Sequence, residues 1–381
     1  MAAPSASKRL ARGPIRRFRP PHLTGLLRGN RRPQPRRPHI LLAGKLTSLV
    51  APGGGEVQMQ STLRALTHAG VHAEFWRPWE QRLADADLLH LFGSEPGHRQ
   101  TVAEARRQGV PVVLSTIAWF DLASCWREPR SLVGRVAACA KFVLRANVPQ
   151  LPSWRRELYQ ACDLLLPNST AEADQLVRYF GVSEKKIQVV ANGADERFAE
   201  ADPRAFARRA GGFHFVLYPG RIEPRKNQLN FLRAMRETNV PIVILGDVVP
   251  GHEDYYAACQ REAGAQVKFL PRREHHDPLL ASAYAACGCL ALTSWYETPG
   301  LVALEAGMSG VPLVLPREGS AEEYFGHRAE YVSPDNLGEI RDKVLRALAR
   351  PRNLELAQHV RQHYSWRAAA RATREAYVRL L

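Results

Sequence analysis

No run of apolar residues in the 381-residue chain approaches the roughly 20 needed to cross a bilayer as a helix, and the first apolar cluster, LTGLL, is cut short by Arg28. The expectation is therefore neither a secretory leader nor a transmembrane span. None of the six cysteines (Cys125, Cys139, Cys162, Cys259, Cys287, Cys289) forms a CxxC pair, and most sit in Ala-rich or apolar surroundings. That excludes a small disulfide scaffold and points to buried reduced thiols in a cytoplasmic protein. Acidic residues are missing from residues 1 to 38, which hold 11 Lys or Arg, so most of the formal charge of +16 resides there. The remainder, 42 basic against 37 acidic residues, is ordinary.

The basic stretch is rich in Arg and Pro and has no apolar period, so residues 1–37 are read as a disordered tail. It also lacks interleaved aromatics on which bases could stack, which argues against nucleic acid as a partner. Two readings stand: a solvated extension, or attraction to an anionic membrane, which would place the protein peripherally at the inner face.

What is present is length for two cores, with 45% apolar residues to fill them. From HILLAG onward short apolar runs alternate with helical patterns, the signature of parallel sheets covered by helices. Strands are expected at HILLAG, HAEFW, LLHLFG, PVVLST, LLLPNS and QVVANG, with helices such as EVQMQSTLRALTHAG and AEADQLVRYFGV between them. A second series runs through FHFVLYPGR, VPIVILGD, AQVKFL, CLALTS, VPLVL and AEYVS. The fold class is α/β with two Rossmann-like, doubly wound domains facing a cleft. The first spans 38–197 and the second 198–364, and ligands belong at the C-terminal ends of their strands.

Two stretches carry chemistry. In YPGRIEPRKNQ, Arg221 and Lys226 flank a turn that leads into a helix, an arrangement suited to a diphosphate. In SWYETPGLVALEAG, a helix starts at Gly300 and Leu301 with free N–H groups, and Glu297 and Glu305 stand on either side to accept from hydroxyls. A ligand with both phosphates and polyols, such as a nucleotide sugar, satisfies both.

The Glu-x7-Glu pair Glu297–Glu305, GRIEPRKN at 220–227, NGAD at 192–195, GGGEVQ at 53–58 and YSWRAAA near the end resemble, in order, the retaining glycosyltransferases of family 4 (glycosyl transferases group 1), which have the GT-B fold. The resemblance covers about residue 38 to the C-terminus. It implies transfer of a hexose from a nucleoside diphosphate sugar to a hydroxyl on a glycan, lipid-linked or small-molecule acceptor, in polysaccharide, glycolipid or other glycoconjugate synthesis. It implies that Arg221 and Lys226 hold the donor diphosphate in place of a metal, that Glu305 binds the ribose, and that Glu297 approaches the transferred sugar. Gly53, Gly54 and Gly55 would let backbone come close to donor or acceptor, and the last helix, about 365–381, would cross back onto the first domain. Neither a metal nor a cofactor is implied beyond the nucleotide-sugar co-substrate.

One departure concerns a family histidine after the strand VPVVLST; Ile117, Ala118 and Trp119 occupy that place. His90, at the end of another strand, is the candidate for the sugar or acceptor contact. Asp85 and Asp87 have an Asp-x-Asp form used for metal, but precede an apolar strand far from the phosphate candidates and read as a solvated turn. EHHDP, at 274–278, reads as a polar helix start. Trp295 and Tyr296 are equally apt to stack on a ligand or to pack. The rival functions are a silent nucleotide-sugar or glycan binder, a nucleotide-sugar epimerase, and a phosphorylase needing pyridoxal phosphate. A dinucleotide oxidoreductase ranks last, because GGGEVQ is not G-x-G-x-x-G.

Overall fold

The computed structural model describes residues 37–44, 53–127, 131–298 and 300–381. The basic tail expected at 1–37 lies outside them except for Arg37.

Two parallel sheets form the body. The first contains β1 (His39–Ala43), β2 (His72–Phe75), β3 (Leu88–Phe92), β4 (Val112–Ser115) and β5 (Leu164–Leu165), in the order β2-β1-β3-β4-β5. The second contains β6 (Val216–Pro219), β7 (Ile242–Leu245), β8 (Val267–Leu270), β9 (Cys289–Ala291), β10 (Leu313–Pro316) and β11 (Glu330–Val332), in the order β11-β10-β9-β6-β7-β8. Helices cover both faces, so central strands such as β3, β4, β6 and β7 are buried at every residue and read as continuous apolar runs. In each sheet the winding reverses once, between β1 and β3 in the first and between β6 and β9 in the second. Adjacent loops diverge at such reversals, and the gap they leave is where open α/β sheets bind ligands.

The stretch QVVANG is not a sixth strand, as its sequence had implied. It keeps one rung, with the Gln188 N–H donating to Leu165 O at 3.0 Å, and the Val190 N–H donates to Pro167 O at 2.9 Å. The next rung would need an N–H from residue 167, and proline has none. The segment therefore runs beside β5 without becoming part of the sheet.

Backbone crosses between the two halves at NGAD. The Ala194 N–H donates to Tyr364 O at 2.7 Å, and a Cβ on Gly193 would lie 2.4 Å from Trp366 N. Only glycine permits that approach. The helix Trp366–Val378 then packs on the helix Gly54–His68, and Gln188 Nε2 donates to Ala372 O at 3.0 Å. Across the crossing, Glu323 accepts from the Thr170 and Ala171 N–H groups at 2.8 and 3.2 Å, capping a helix of the other half. The cysteines form no disulfide: Cys162, Cys259, Cys287 and Cys289 are buried, whereas Cys125 and Cys139 are partly accessible.

Candidate active site

The β6/β9 reversal brings together the loop 220–227 and the loop after β9. Gly220 turns out of β6 with φ of +143°, and Asn227, itself left-handed at φ of +59°, ends the loop. Asn227 Nδ2 donates to Thr293 O at 2.9 Å and to Pro334 O at 2.7 Å, which pins the loop to the strands beside it. The Trp295 N–H donates to Arg225 O at 3.0 Å, so the two loops are also joined through backbone.

Between them Lys226 Nζ donates to Glu297 Oε1, and Ser294 Oγ donates to the same oxygen at 2.6 Å. Both members of the ion pair are largely buried, with side chains 14% and 7% exposed. Burial lowers the pKa of Lys226, opposed chiefly by the Glu297 carboxylate. Burial also works against the charge on Glu297, but Lys226, Arg225 and the two hydrogen bonds outweigh it, so its pKa lies below the ordinary carboxylate value. Glu297 is held by backbone as well, bridging Gly319, where a Cβ would fall 2.0 Å from Glu297 O. With φ of +116° at Gly319, glycine is required twice over.

The structure does not bring Arg221 to this pair. Its side chain is 47% exposed and donates to Glu223 Oε1 at 3.1 Å. Arg225, which the sequence reading passed over, acts on Glu297 after Lys226; its guanidinium donates to Glu223 Oε1 at 3.2 Å and lies 5.4 Å from the Tyr296 ring centre. Sequence spacing cannot distinguish the two arginines because the turn of Pro224–Lys226 decides which one faces inward.

Glu305 lies one turn into the helix Leu301–Met308 and is buried. Tyr284 Oη donates to Glu305 Oε2 at 2.8 Å, and His275 Nε2 lies 3.0 Å from Glu305 Oε1. A carboxylate has about four acceptor positions, so hydroxyls of a ligand can still be accepted beside these two partners. The stretch EHHDP does start a helix, with Asp277 accepting from the Leu279 N–H at 2.8 Å, yet it also delivers His275 to Glu305. The available signal was its place just after β8, on the edge where the other loops gather.

Across the gap, at the β1/β3 reversal, a cavity of about 210 Å³ is lined by Gly55, Glu56, Met59, Phe92, Ser94 and Ile117, among others. Glu56 Oε2 accepts from the Gly53 N–H and so secures the start of the helix Gly54–His68. Among the described residues a Cβ on Gly54 would meet no atom within 4 Å, and one on Gly55 would lie 3.6 Å from Ile117 Cδ1. Ile117 adopts φ of +45°, costly for a β-branched residue. Glu172 holds the loop there: one oxygen accepts from Thr116 Oγ1 and the Ala118 N–H, the other from the Asn168 N–H. Burial pushes its carboxyl up to about 7 against those donors.

His90 is not part of this gap. Its ring is enclosed between β3 and the last helix, 2.7 Å from Tyr377 Oη and 3.0 Å from Ser115 Oγ, and burial drives its pKa down to about 3. It links the last helix to the first sheet, which corrects its candidacy as a sugar or acceptor contact. Among the described residues no group of three or more His, Cys, Asp or Glu could hold a metal ion, and no helix is long and apolar enough to cross a membrane.

Comparison with known proteins gives two family matches in tandem: Glycosyltransferase Family 4 over residues 55–198, and Glycosyl transferases group 1 over 202–364. Curated relatives include the D-inositol 3-phosphate glycosyltransferases of Streptomyces bingchenggensis, 29% identical over 68% of this chain and 63% of that one, and of Kribbella flavida, 34% identical over 45% of each. The chain thus spans less than two thirds of the length of these relatives. Similar solved structures include Anabaena Alr3699/HepE in complex with UDP and glucose (TM-score 0.66, 17% identity, 90% of this chain and 99% of that one). Sucrose-phosphate synthase from Thermosynechococcus elongatus is another (TM-score 0.71, 18% identity, 90% and 99%). At such identities these two speak for the fold alone.

Proposed function

We propose that this chain, which belongs to the GT-B glycosyltransferases described by the group 1 and family 4 models, moves a hexose from a nucleoside diphosphate sugar to an acceptor hydroxyl with retention of configuration and without a metal. One observation carries the reading. At the β6/β9 reversal Lys226 donates to the buried Glu297 while Arg225 and Arg221 both donate to Glu223, so three cations meet two carboxylates and one positive charge is left in excess where a departing diphosphate would lie. Glu305, secured by Tyr284 and His275, offers its remaining lone pairs to the ribose. The N–H groups of Gly300 and Leu301, at the start of the helix, face the phosphates.

The reaction then has a simple balance. The bond from the anomeric carbon to the diphosphate oxygen breaks, its electron pair leaves with the diphosphate, and the acceptor oxygen bonds to the same face while its proton passes to the leaving phosphate. Positive charge builds on the sugar ring and negative charge on the diphosphate, so Lys226 and Arg225 stabilise charge that grows toward the transition state. The acceptor, a glycan, lipid-linked or small-molecule hydroxyl, enters from the β1/β3 cavity.

A donor panel assayed for released nucleoside diphosphate tests this. One donor is expected to be turned over equally well in excess chelator; loss of activity restored by Mg²⁺ or Mn²⁺ would overturn the metal-free reading, and no release from any donor would leave only a binder. By binding calorimetry Glu305→Ala is expected to weaken nucleoside diphosphate affinity by about 1.5–3 kcal/mol, the worth of hydrogen bonds to a charged group. Unchanged binding would remove Glu305 from the ribose.

Gly54 gives a separate test. Because a methyl group there meets only open space among the described residues, Gly54→Ala is expected to fold at least as stably, gaining up to about 1 kcal/mol from helix propensity. Turnover should fall about tenfold if substrate fills that space, equivalent to about 1.4 kcal/mol of lost contact. Full turnover would mean that the glycine loop stands away from the ligands.

A further inference from the structure

Two helices inserted after β4, Leu122–Arg127 and Leu132–Asn147, pack against each other at the C-terminal edge of the first sheet, the edge that also carries the cavity. The longer helix is turned inside out. No residue in it is buried, and its inner side rests on the helix Thr170–Phe180 through Phe142, whose ring centre lies 4.9 Å from that of Tyr179. Its large apolar side chains point the other way: Leu132 and Val133 are 67% and 79% exposed, and Val136, Val143 and Leu144 are exposed with them. At 3.6 residues per turn these five fall within an arc of about 120°. Trp126 of the neighbouring helix is exposed as well.

The occupant of such a face is indicated by its charge. The helix carries Arg135, Lys141 and Arg145 and no Asp or Glu; at 3.6 residues per turn Arg135 and Lys141 border the apolar arc on either side, whereas Arg145 turns inward, its guanidinium 5.5 Å from the Phe180 ring centre. A second copy of the chain laid face to face would set these bordering cations against their own counterparts. A surface that takes in apolar side chains and also presents negative charge satisfies both features, and an anionic bilayer is such a surface. The helix is about 24 Å long and is not apolar enough to span, so it would lie in the plane of the headgroups. We propose that the helix Leu132–Asn147, with Trp126 beside it, is an interfacial docking face for anionic lipid. It acts independently of the basic tail, whose sequence has charge but no apolar period. Docking there presents the cavity edge of the first domain toward the membrane surface.

The experiment is vesicle co-sedimentation of the full chain at about 0.15 M salt, where screening leaves only short-range attraction. Vesicles are phosphatidylcholine alone or mixed with phosphatidylglycerol. The parent chain is expected to bind the mixed vesicles at least tenfold more strongly than neutral ones. Combined Val133→Glu, Val136→Glu and Leu144→Glu should weaken that binding at least tenfold, with unchanged circular dichroism and thermal midpoint because all three positions are exposed. A milder pair, Val133→Ala with Leu144→Ala, should give an intermediate loss without altering charge. Equal binding by the parent and the triple variant would overturn the proposal and assign lipid contact to the tail. So would absence of binding by the parent, or a triple variant that abolishes a dimer in sedimentation velocity while binding vesicles normally.

Discussion

Glu297→Gln is expected to lower turnover by about a hundredfold, the scale seen when a preorganised electrostatic contact is removed from a transition state. The substituted side chain still accepts from Lys226 and Ser294, so the loop keeps its shape. What it loses is charge facing a sugar that becomes cationic. A second consequence separates this residue from a mere binding group. Glu297 engages Lys226 and would compete with an arriving diphosphate; glutamine, lacking the charge, competes less, and affinity for free nucleoside diphosphate should hold or rise. The ligand-free protein should meanwhile lose about 2–3 kcal/mol, somewhat less than the cost of breaking a buried ion pair outright. Because the pKa of Glu297 is held below its ordinary value, its contribution to stability is present above about pH 4.5 and fades as pH drops through the folded value. Lys226→Ala should reduce both turnover and nucleotide affinity. Near-parental turnover of Glu297→Gln would show that the carboxylate stands clear of the sugar.

Gly193→Ala is expected to have the largest effect on stability, about 2–4 kcal/mol, from forced overpacking and a lost hydrogen bond. The added carbon would sit 2.4 Å from Trp366 N, 2.5 Å from Ser365 C and 2.8 Å from Ser365 O. All three are backbone atoms, so no side chain can swing aside. The two segments must part, which breaks the bond from the Ala194 N–H to Tyr364 O and loosens the helix Trp366–Val378 from the first sheet. Calorimetry should show a lowered midpoint, broadened or split if the halves then melt separately. A midpoint within about 1 °C of the parent, less than about 1 kcal/mol at this size, would mean that the crossing relaxes freely.

How far the chain could be read from its letters depended on what each residue answers to. Strands such as LLHLF and VLYP are buried on both faces, so apolar runs alone marked them. QVVANG met the same criterion and failed because of a proline on its neighbour, a property of pairing that no single segment displays. Lys226 and Glu297 were both legible as site residues, but their mutual ion pair was not, since 71 residues separate them. His275 was hidden for the same reason, its partner Glu305 lying 30 residues on. The helix Leu132–Asn147 escaped notice differently. Reading amphipathic period assumes that apolar residues turn inward, and here the period is present with its sign reversed.

The distribution of the cysteines makes this reversed helix addressable by chemistry. Burial pushes the thiols of Cys162 and Cys287 up to about 12 and that of Cys259 to about 11, and raises Cys289 as well, so none of the four offers an accessible thiolate near neutral pH. The two partly accessible cysteines, Cys125 and Cys139, sit one on each of the paired helices that carry the exposed apolar face. An alkylating reagent applied to the native protein therefore acts as a footprint of that face alone. Its labelling rate, read peptide by peptide by mass spectrometry, reports whatever comes to cover the face, with no engineered probe and no substitution anywhere in the chain.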